Sequence, residues 1–201
     1  IGRWRGGHIA AVQLYSITAK AKAKVVPDYV CSVLQREDKV VVFAHHHVLL
    51  DAVQQRMEAI GEKFVRVDGQ VEQKRRDQAV ESFQTDPSVR VAIMAITAAG
   101  QGISLTAARV AIFAELHWVP GKLLQAEDRV HRAGQNRSVE IHYVVIEGDA
   151  FSDMRLLNTL EAKDSIVGGI VDGYDKNGAL NSGLSPSTML SGKANSKAQN
   201  P

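Results

Sequence analysis

A single cysteine, Cys31, stands in 201 residues, so no disulfide can close within the chain and a disulfide-stapled fold is excluded. No apolar run approaches the roughly 20 residues that a membrane-spanning helix needs. Neither sign of charge is in large excess. Lys and Arg number 24 against 22 Asp and Glu, a net of +2 with a pI of about 8.7, too mild to imply a nucleic-acid partner by itself. The pattern G-x-x-x-x-G-K-[ST] occurs nowhere, so that kind of phosphate cradle is lacking; Gly192-Lys193 has neither the first Gly nor the following Ser or Thr. No Asp-Glu pair stands at a strand end to hold magnesium. His45-His46-His47 invites a metal, but in extended backbone only His45 and His47 share a side, and no further ligand stands at zinc-like spacing. No metal site is assigned.

What is present suffices for a sizeable core: 45% of residues are hydrophobic and 23% charged, so wholesale disorder is excluded. Arg3 and Arg5 before a mildly apolar stretch have the charge order of a signal peptide, but His8, Gln13 and Tyr15 interrupt it. The first residue is Ile rather than Met, and the expectation is a stretch of a longer protein. Residues 1–27 form a basic segment rich in helix formers, whose lysines, Lys20, Lys22 and Lys24, are read as a solvated helix face. Pro27 suits the first turn of a new helix.

From residue 39 the pattern alternates. Val40-Val41-Val42-Phe43-Ala44 is a continuous apolar run, as expected of a strand buried on both faces. Residues 48–60 have helical periodicity and stop at Gly61. Further strands are predicted at 64–67, 89–96, 110–114 and 139–146. A charged helix is predicted over 73–83, with Ala79, Val80 and Phe83 on its apolar side, and another over 123–133. This alternation argues for βαβ units: an α/β fold with a doubly wound, mostly parallel sheet covered by helices on both faces. A closing helix is expected over 150–167. The domain proper spans 28–172, and 173–201, poor in apolar residues, is read as a flexible tail.

In such a sheet, ligands bind beyond the carboxyl ends of the strands. Four stretches there could carry chemistry. Gln125, Arg129 and Arg132 are spaced i, i+4 and i+7, so on a helix they share a face. Two guanidiniums one turn apart make sense if an anion lies between them, since arginine grips phosphate bidentately and stays charged. They make equal sense if Glu127, Asp128 and neighbouring acids neutralise them. Thr97-Ala98-Ala99-Gly100-Gln101-Gly102 follows a strand, and its Gly100 and Gly102 let backbone approach a ligand. Asp68-Gly69 precedes the basic cluster Lys74-Arg75-Arg76, which reads as a turn and a solvated face or as an anion contact. Trp118, at a strand exit beside Pro120, either presents an aromatic ring or packs in the core.

Taken in order, these stretches resemble the C-terminal RecA-like lobe of Swi/Snf-type ATPases in helicase superfamily two. Residues 39–46 look like motif IV. Arg66, Asp68, Gly69, Arg76 and Phe83 match the family's R-x-D-G-(6)-R-(6)-F segment. Residues 96–102 with 105–108 look like motif V, and 125–135 look like motif VI, Q-A-x-D-R-x-H-R-x-G-Q. Gln70, Ala99 and Ala133 depart from the usual residues without removing a charged group. A finer resemblance is to the annealing-helicase subgroup, the HARP-like proteins, through Phe43-Ala44-His45-His46, Phe113-Ala114-Glu115-Leu116, Trp118, Pro120-Gly121 and Ile141-His142-Tyr143.

The resemblance implies a DNA-dependent ATPase, nuclear, working in DNA repair, with ATP and Mg held mainly by an N-terminal RecA-like lobe. It implies that Arg129 and Arg132 are arginine fingers and that Gln125, Gly100 and Gly102 meet the nucleotide. It further implies that Gly69, Arg76, Thr97, Trp118 and His45 meet DNA. The output would be rewinding of strands at stalled forks. The alternatives are the lobe of a chromatin-remodelling ATPase, or a non-catalytic nucleic-acid-binding module. The 201-residue chain alone would hold half an active site and no ATPase activity.

Overall fold

The computed structural model describes residues 3–100, 102–146 and 153. The expected tail over 173–201 lies outside them, as does all of the expected closing helix except Asp153. Five strands form one sheet: β1 (Val40–Ala44), β2 (Lys63–Val67), β3 (Val89–Ala95), β4 (Val110–Phe113) and β5 (Glu140–Tyr143). Their order is β2-β3-β1-β4-β5, and every neighbouring pair is parallel. Each strand falls within a few residues of its expected place.

The apolar runs explain the order of burial. Successive side chains of a strand point to opposite faces, so a strand with every residue buried must be covered on both. β1 and β4 are buried at every position, and β3 at all but Arg90. These three form the middle of the sheet. Phe43 and Phe113, neighbours in register, stack at 4.8 Å in its centre. The edge strands β2 and β5 are only partly covered.

The helices are α1 (Arg3–Lys22), α2 (Val26–Leu34), α3 (His47–Ala59), α4 (Gln73–Thr85) and α5 (Pro120–Glu127), with a 3-10 turn, η1 (Ile96–Gly100). Pro27 sits in the first turn of α2, where its missing N–H costs nothing. α3 ends before Gly61, whose φ of 70° is the left-handed value that closes a helix. Right-handed crossovers place α3, between β1 and β2, and α4, between β2 and β3, on opposite faces of the sheet. α4 buries Phe83 fully and tucks Ala79 and Val80 against the core, while Lys74 and Arg75 stay exposed. Cys31 is half-buried against the core. Among the described residues, no helix is long and apolar enough to cross a membrane.

One expectation in the basic N-terminal segment fails. Lys20 and Lys24 are exposed, as on a solvated face, but Lys22 is buried. Its ammonium pairs with Asp153 at 2.6 Å and donates to the Val144 carbonyl at 2.7 Å. Ala19 and Tyr15, on the same helix, are buried with it. An ammonium in the interior needs such partners, because desolvating it unpaired costs several kcal/mol.

Candidate functional site

Since all five strands run parallel, the segments that follow them emerge at one edge of the sheet. His45 and His46 follow β1, Asp68 and Gly69 follow β2, η1 follows β3, and Glu115 to Trp118 follow β4. The strand ends lie side by side, with Ala44 opposite Ala95 and Phe43 opposite both Met94 and Phe113. The fold therefore gathers His45, Gly69, Thr97, Gly100, Gly102 and Trp118 along one edge, although the stretches holding them are far apart in sequence.

The arginine segment departs from its expected form. The helix predicted over 123–133 begins at Pro120 and ends at Glu127. Asp128 caps it, and the chain then tightens: the Arg129 N–H donates to the Ala126 carbonyl at 3.2 Å, and the Val130 N–H to that of Glu127 at 2.9 Å. The physical reason lies outside the segment. In a continuing helix the Arg129 carbonyl would accept from Ala133; here it accepts the Leu105 N–H at 2.7 Å. Gly134, at φ 103°, completes the reversal. Gln125 is on the helix, and Arg129 and Arg132 are on the turn beyond it, so the three do not share a helical face.

The acids beside the arginines do not neutralise them. Among the described residues neither guanidinium has a salt bridge. The Glu127 carboxylate instead accepts the Tyr143 hydroxyl. Arg129 is half-buried, and its Nε is enclosed without a hydrogen-bond partner. Arg132 is exposed, and among the described residues its guanidinium makes one long contact, 3.5 Å, to the Ile103 carbonyl. A buried N–H with no acceptor is costly and marks a place for one. The turn is tied at its far end as well: Gln135 donates to the carbonyls of Thr106 (3.1 Å) and Ala108 (2.7 Å).

Thr97 is exposed on η1, directly after β3, and Gly102 has a left-handed φ of 57°. Gly69 is exposed, with open space where a Cβ would sit. Asp68 shapes its turn by accepting the Gln70 N–H at 3.1 Å and the Arg66 Nε at 3.2 Å. Arg76 differs from Lys74 and Arg75 in being half-buried. It donates to the Val71 carbonyl at 3.2 Å, while its Nε is enclosed without a partner.

The exits of β1 and β4 are joined by Glu115, to which sequence reasoning gave no role of its own. It is 1% exposed. One carboxylate oxygen accepts the backbone N–H groups of His45 (2.8 Å) and His46 (2.7 Å), and the other contacts His46 Nδ1 at 2.6 Å. An acid after an apolar strand, near a loop with orphan N–H groups, was the available signal. Rings cluster above it. Tyr15 lies 5.7 Å from His45, 4.7 Å from His46 and 4.4 Å from Trp118, centroid to centroid. The Tyr15 hydroxyl donates to the Leu116 carbonyl at 2.5 Å. Burial, with Glu115 and Asp153 nearby, raises its pKa far above the usual phenol value, so the proton stays on. Burial lowers the pKa of His45, helped by His46 and opposed by Glu115. Burial also lowers that of His117, helped by His45. His117 Nδ1 accepts the Val119 N–H at 3.0 Å, which assigns its proton to Nε2. Trp118 is 41% exposed: one side packs on Tyr15, and the rest of the ring is presented to solvent. Among the described residues, no group of three His, Cys, Asp or Glu is placed to hold a metal ion.

A five-stranded parallel sheet flanked by helices, with the segments after its strands gathered along one edge, is the architecture of a RecA-like helicase lobe. The chain belongs to the family described as the helicase conserved C-terminal domain, which it matches over residues 21–134. It is similar to the human DNA annealing helicase and endonuclease ZRANB3, with 42% identity over 162 residues, 80% of this chain and 15% of that protein. It is also similar to the Caenorhabditis elegans homolog of the SWI/SNF-related matrix-associated actin-dependent regulator of chromatin subfamily A-like protein 1. There the identity is 40% over 165 residues, 80% of this chain and 24% of the relative. The chain thus spans less than a quarter of these relatives. Among solved structures, the C-terminal part of the Fun30 ATPase domain superposes with a TM-score of 0.57 at 27% identity, covering 63% of this chain and 40% of that one. The chain is therefore a helicase C-terminal domain with a RecA-like fold, similar in sequence to Swi/Snf-related helicases.

Proposed function

We propose that the chain is the second motor lobe of an ATP-driven translocase on double-stranded DNA, of the annealing-helicase type, which rewinds separated strands. The observation that carries this reading is the arginine turn. Two guanidiniums without carboxylate partners among the described residues, one with an enclosed and unsatisfied Nε, are held by backbone bonds against the segment after β3. They fit the phosphate end of a nucleotide. ATP, with Mg held mainly by an N-terminal lobe, supplies the phosphoryl group; Arg129 and Arg132 supply planar guanidiniums that can grip phosphate oxygens bidentately. In known phosphoryl-transfer enzymes such an arginine accounts for about 10³ to 10⁵ in rate, because negative charge spreads over the transferred group. Gln125 orients the helix that precedes the turn, and the Gly100 and Gly102 backbone meets the nucleotide edge.

Gly69, Arg76, Thr97, His45 and Trp118 then face the DNA. Contacts to phosphates carry no sequence information, which suits a motor that must track any duplex. The name of the human relative, DNA annealing helicase, favours rewinding as the output. The chain carries no phosphate loop of the G-x-x-x-x-G-K-[ST] kind, and on this reading ATP turnover needs the N-terminal lobe as well.

The test is Arg129→Ala and Arg132→Ala in the protein that carries both lobes. The motor reading expects DNA-stimulated ATP hydrolysis to fall by at least about 10³ with duplex binding kept. Retained hydrolysis with lost binding would instead make the chain a nucleic-acid-binding module. Strand annealing on single-strand-binding-protein-coated DNA, set beside nucleosome sliding, separates a rewinding motor from a chromatin remodeller.

A further inference from the structure

The arginine turn is held at its middle by Leu105 and at its end by Gln135. Its beginning has an anchor of another kind. Glu127 is the last residue of α5. Its carbonyl accepts two N–H groups of the turn, those of Val130 and His131, both at 2.9 Å. Its side chain leaves the turn altogether and accepts the hydroxyl of Tyr143, on edge strand β5. Tyr143 is itself held firmly: it lies in register with Phe113 of β4, their rings are 5.2 Å apart, and the following Val144 N–H donates to the Phe113 carbonyl at 2.9 Å. The phenol therefore belongs to the sheet, and the carboxylate belongs to the point from which the arginines hang.

We propose that Tyr143 and Glu127 are positioning residues for Arg129 and Arg132, so that the sheet sets where the guanidiniums stand when ATP is cleaved. This rests on the arginine reading above. Neither side chain needs to touch the nucleotide. Arg129 is two residues past the anchor, and a shift of Glu127 is passed directly through the Val130 and His131 hydrogen bonds into the backbone that carries both arginines. Misplacing a charge-stabilising group by about 1 Å can cost on the order of 10²-fold in rate while leaving ground-state binding intact. The pair should thus act on turnover rather than on affinity.

The experiment uses the two-lobed protein and steady-state ATP hydrolysis with saturating duplex DNA. Tyr143→Phe removes the hydroxyl and keeps the ring against Phe113; Glu127→Ala removes the acceptor; Glu127→Gln keeps an oxygen that can accept the phenol. The expected result is a fall in kcat of about tenfold for Tyr143→Phe and for Glu127→Ala, with KM for ATP and duplex affinity changed by less than about twofold, and near-normal kcat for Glu127→Gln. Wild-type kcat in Tyr143→Phe overturns the proposal. So does a loss that appears equally in KM, in duplex affinity or in melting temperature, because that is general loosening. Glu127→Gln as impaired as Glu127→Ala also overturns it, since charge rather than the hydrogen bond would then matter. Arg129→Ala and Arg132→Ala run beside these variants: if they hydrolyse ATP normally, the arginine reading itself has failed. If they are dead while Tyr143→Phe is unimpaired, only the positioning role has failed.

Discussion

Lys22 and Asp153 meet 2.6 Å apart with side chains 2% and 3% exposed, joining the last turn of α1 to the chain beyond β5. The same Asp153 oxygen accepts the Ile146 N–H at 2.9 Å, and Lys22 also donates to the Val144 carbonyl, so the pair closes over the exit of the edge strand. Removing one member leaves the other as an uncompensated buried charge. Lys22→Met is expected to destabilise the isolated chain by about 3–5 kcal/mol in thermal unfolding. The double change Lys22→Met with Asp153→Leu should recover much of that loss, because an apolar pair of similar volume replaces both charges. A Lys22→Met chain with the wild-type melting temperature would show that the ion pair does not hold α1.

Glu115 gives a prediction with a built-in control. Its carboxylate satisfies two backbone N–H groups at the β1 exit. Glu115→Ala strands both, at about 1–3 kcal/mol each. Glu115→Gln can keep its oxygen on the two backbone donors and turn its amide toward His46 Nδ1, so its cost should be clearly smaller. Urea unfolding checks this: the midpoint should fall in the order wild type, Gln, Ala, at constant m. A Gln variant as unstable as the Ala variant would mean that charge, not acceptance by an oxygen, holds the loop.

The strands were legible because a doubly covered parallel strand is a bare apolar run, and 40–44 and 110–113 contain nothing else. The site edge was legible for the same reason: once the strands are parallel, the segments that follow them must collect together. The end of α5 was not. Residues 128–133 contain good helix formers, and what stops the helix is a carbonyl taken by Leu105, over twenty residues earlier in the chain. The burial of Lys22 is hidden for a similar reason. An Ala-Lys repeat looks like a wet helix face until Asp153, far along the chain, is brought against it. Glu127 stands beside the arginines in sequence, yet its carboxylate serves Tyr143. Side-chain partners chosen across the fold leave no local trace.

The histidines predict a pH dependence. Burial lowers the pKa of His45, His117 and His142 from an ordinary value of 6.5. The unfolded chain therefore takes up protons at a higher pH than the folded one. As pH falls through about 6.5 the unfolded state binds more protons, and stability drops until the folded histidines titrate too. Above that window these three groups contribute no slope. Asp86 and Glu140, whose pKa values are lowered chiefly by hydrogen bonds from Ser88 and Arg109 respectively, add a separate loss below about pH 4.5, where unfolded carboxylates protonate first. Urea midpoints between pH 7.5 and 5 should decline, and His45→Asn with His117→Asn should flatten part of that decline. A midpoint independent of pH over this range would mean that these rings are not held neutral by burial.

Arg76 and Trp118 are both proposed to meet DNA, and salt separates what each would do there. A guanidinium on a phosphate releases a condensed counterion, so its loss should reduce the slope of log affinity against log salt by about 0.9. An indole ring pressed on DNA releases none. In the two-lobed protein, Arg76→Ala should weaken duplex binding mainly at low salt and flatten the salt dependence by about one ion. Trp118→Ala should weaken binding by a similar factor at every salt concentration and leave the slope unchanged. Its ring packs on Tyr15 at 4.4 Å but remains 41% exposed, so the stability loss should stay near about 1 kcal/mol. If Arg76→Ala leaves the salt slope intact, the half-buried guanidinium serves the turn at Val71 and not a phosphate; if Trp118→Ala leaves affinity intact, its exposed face touches no DNA.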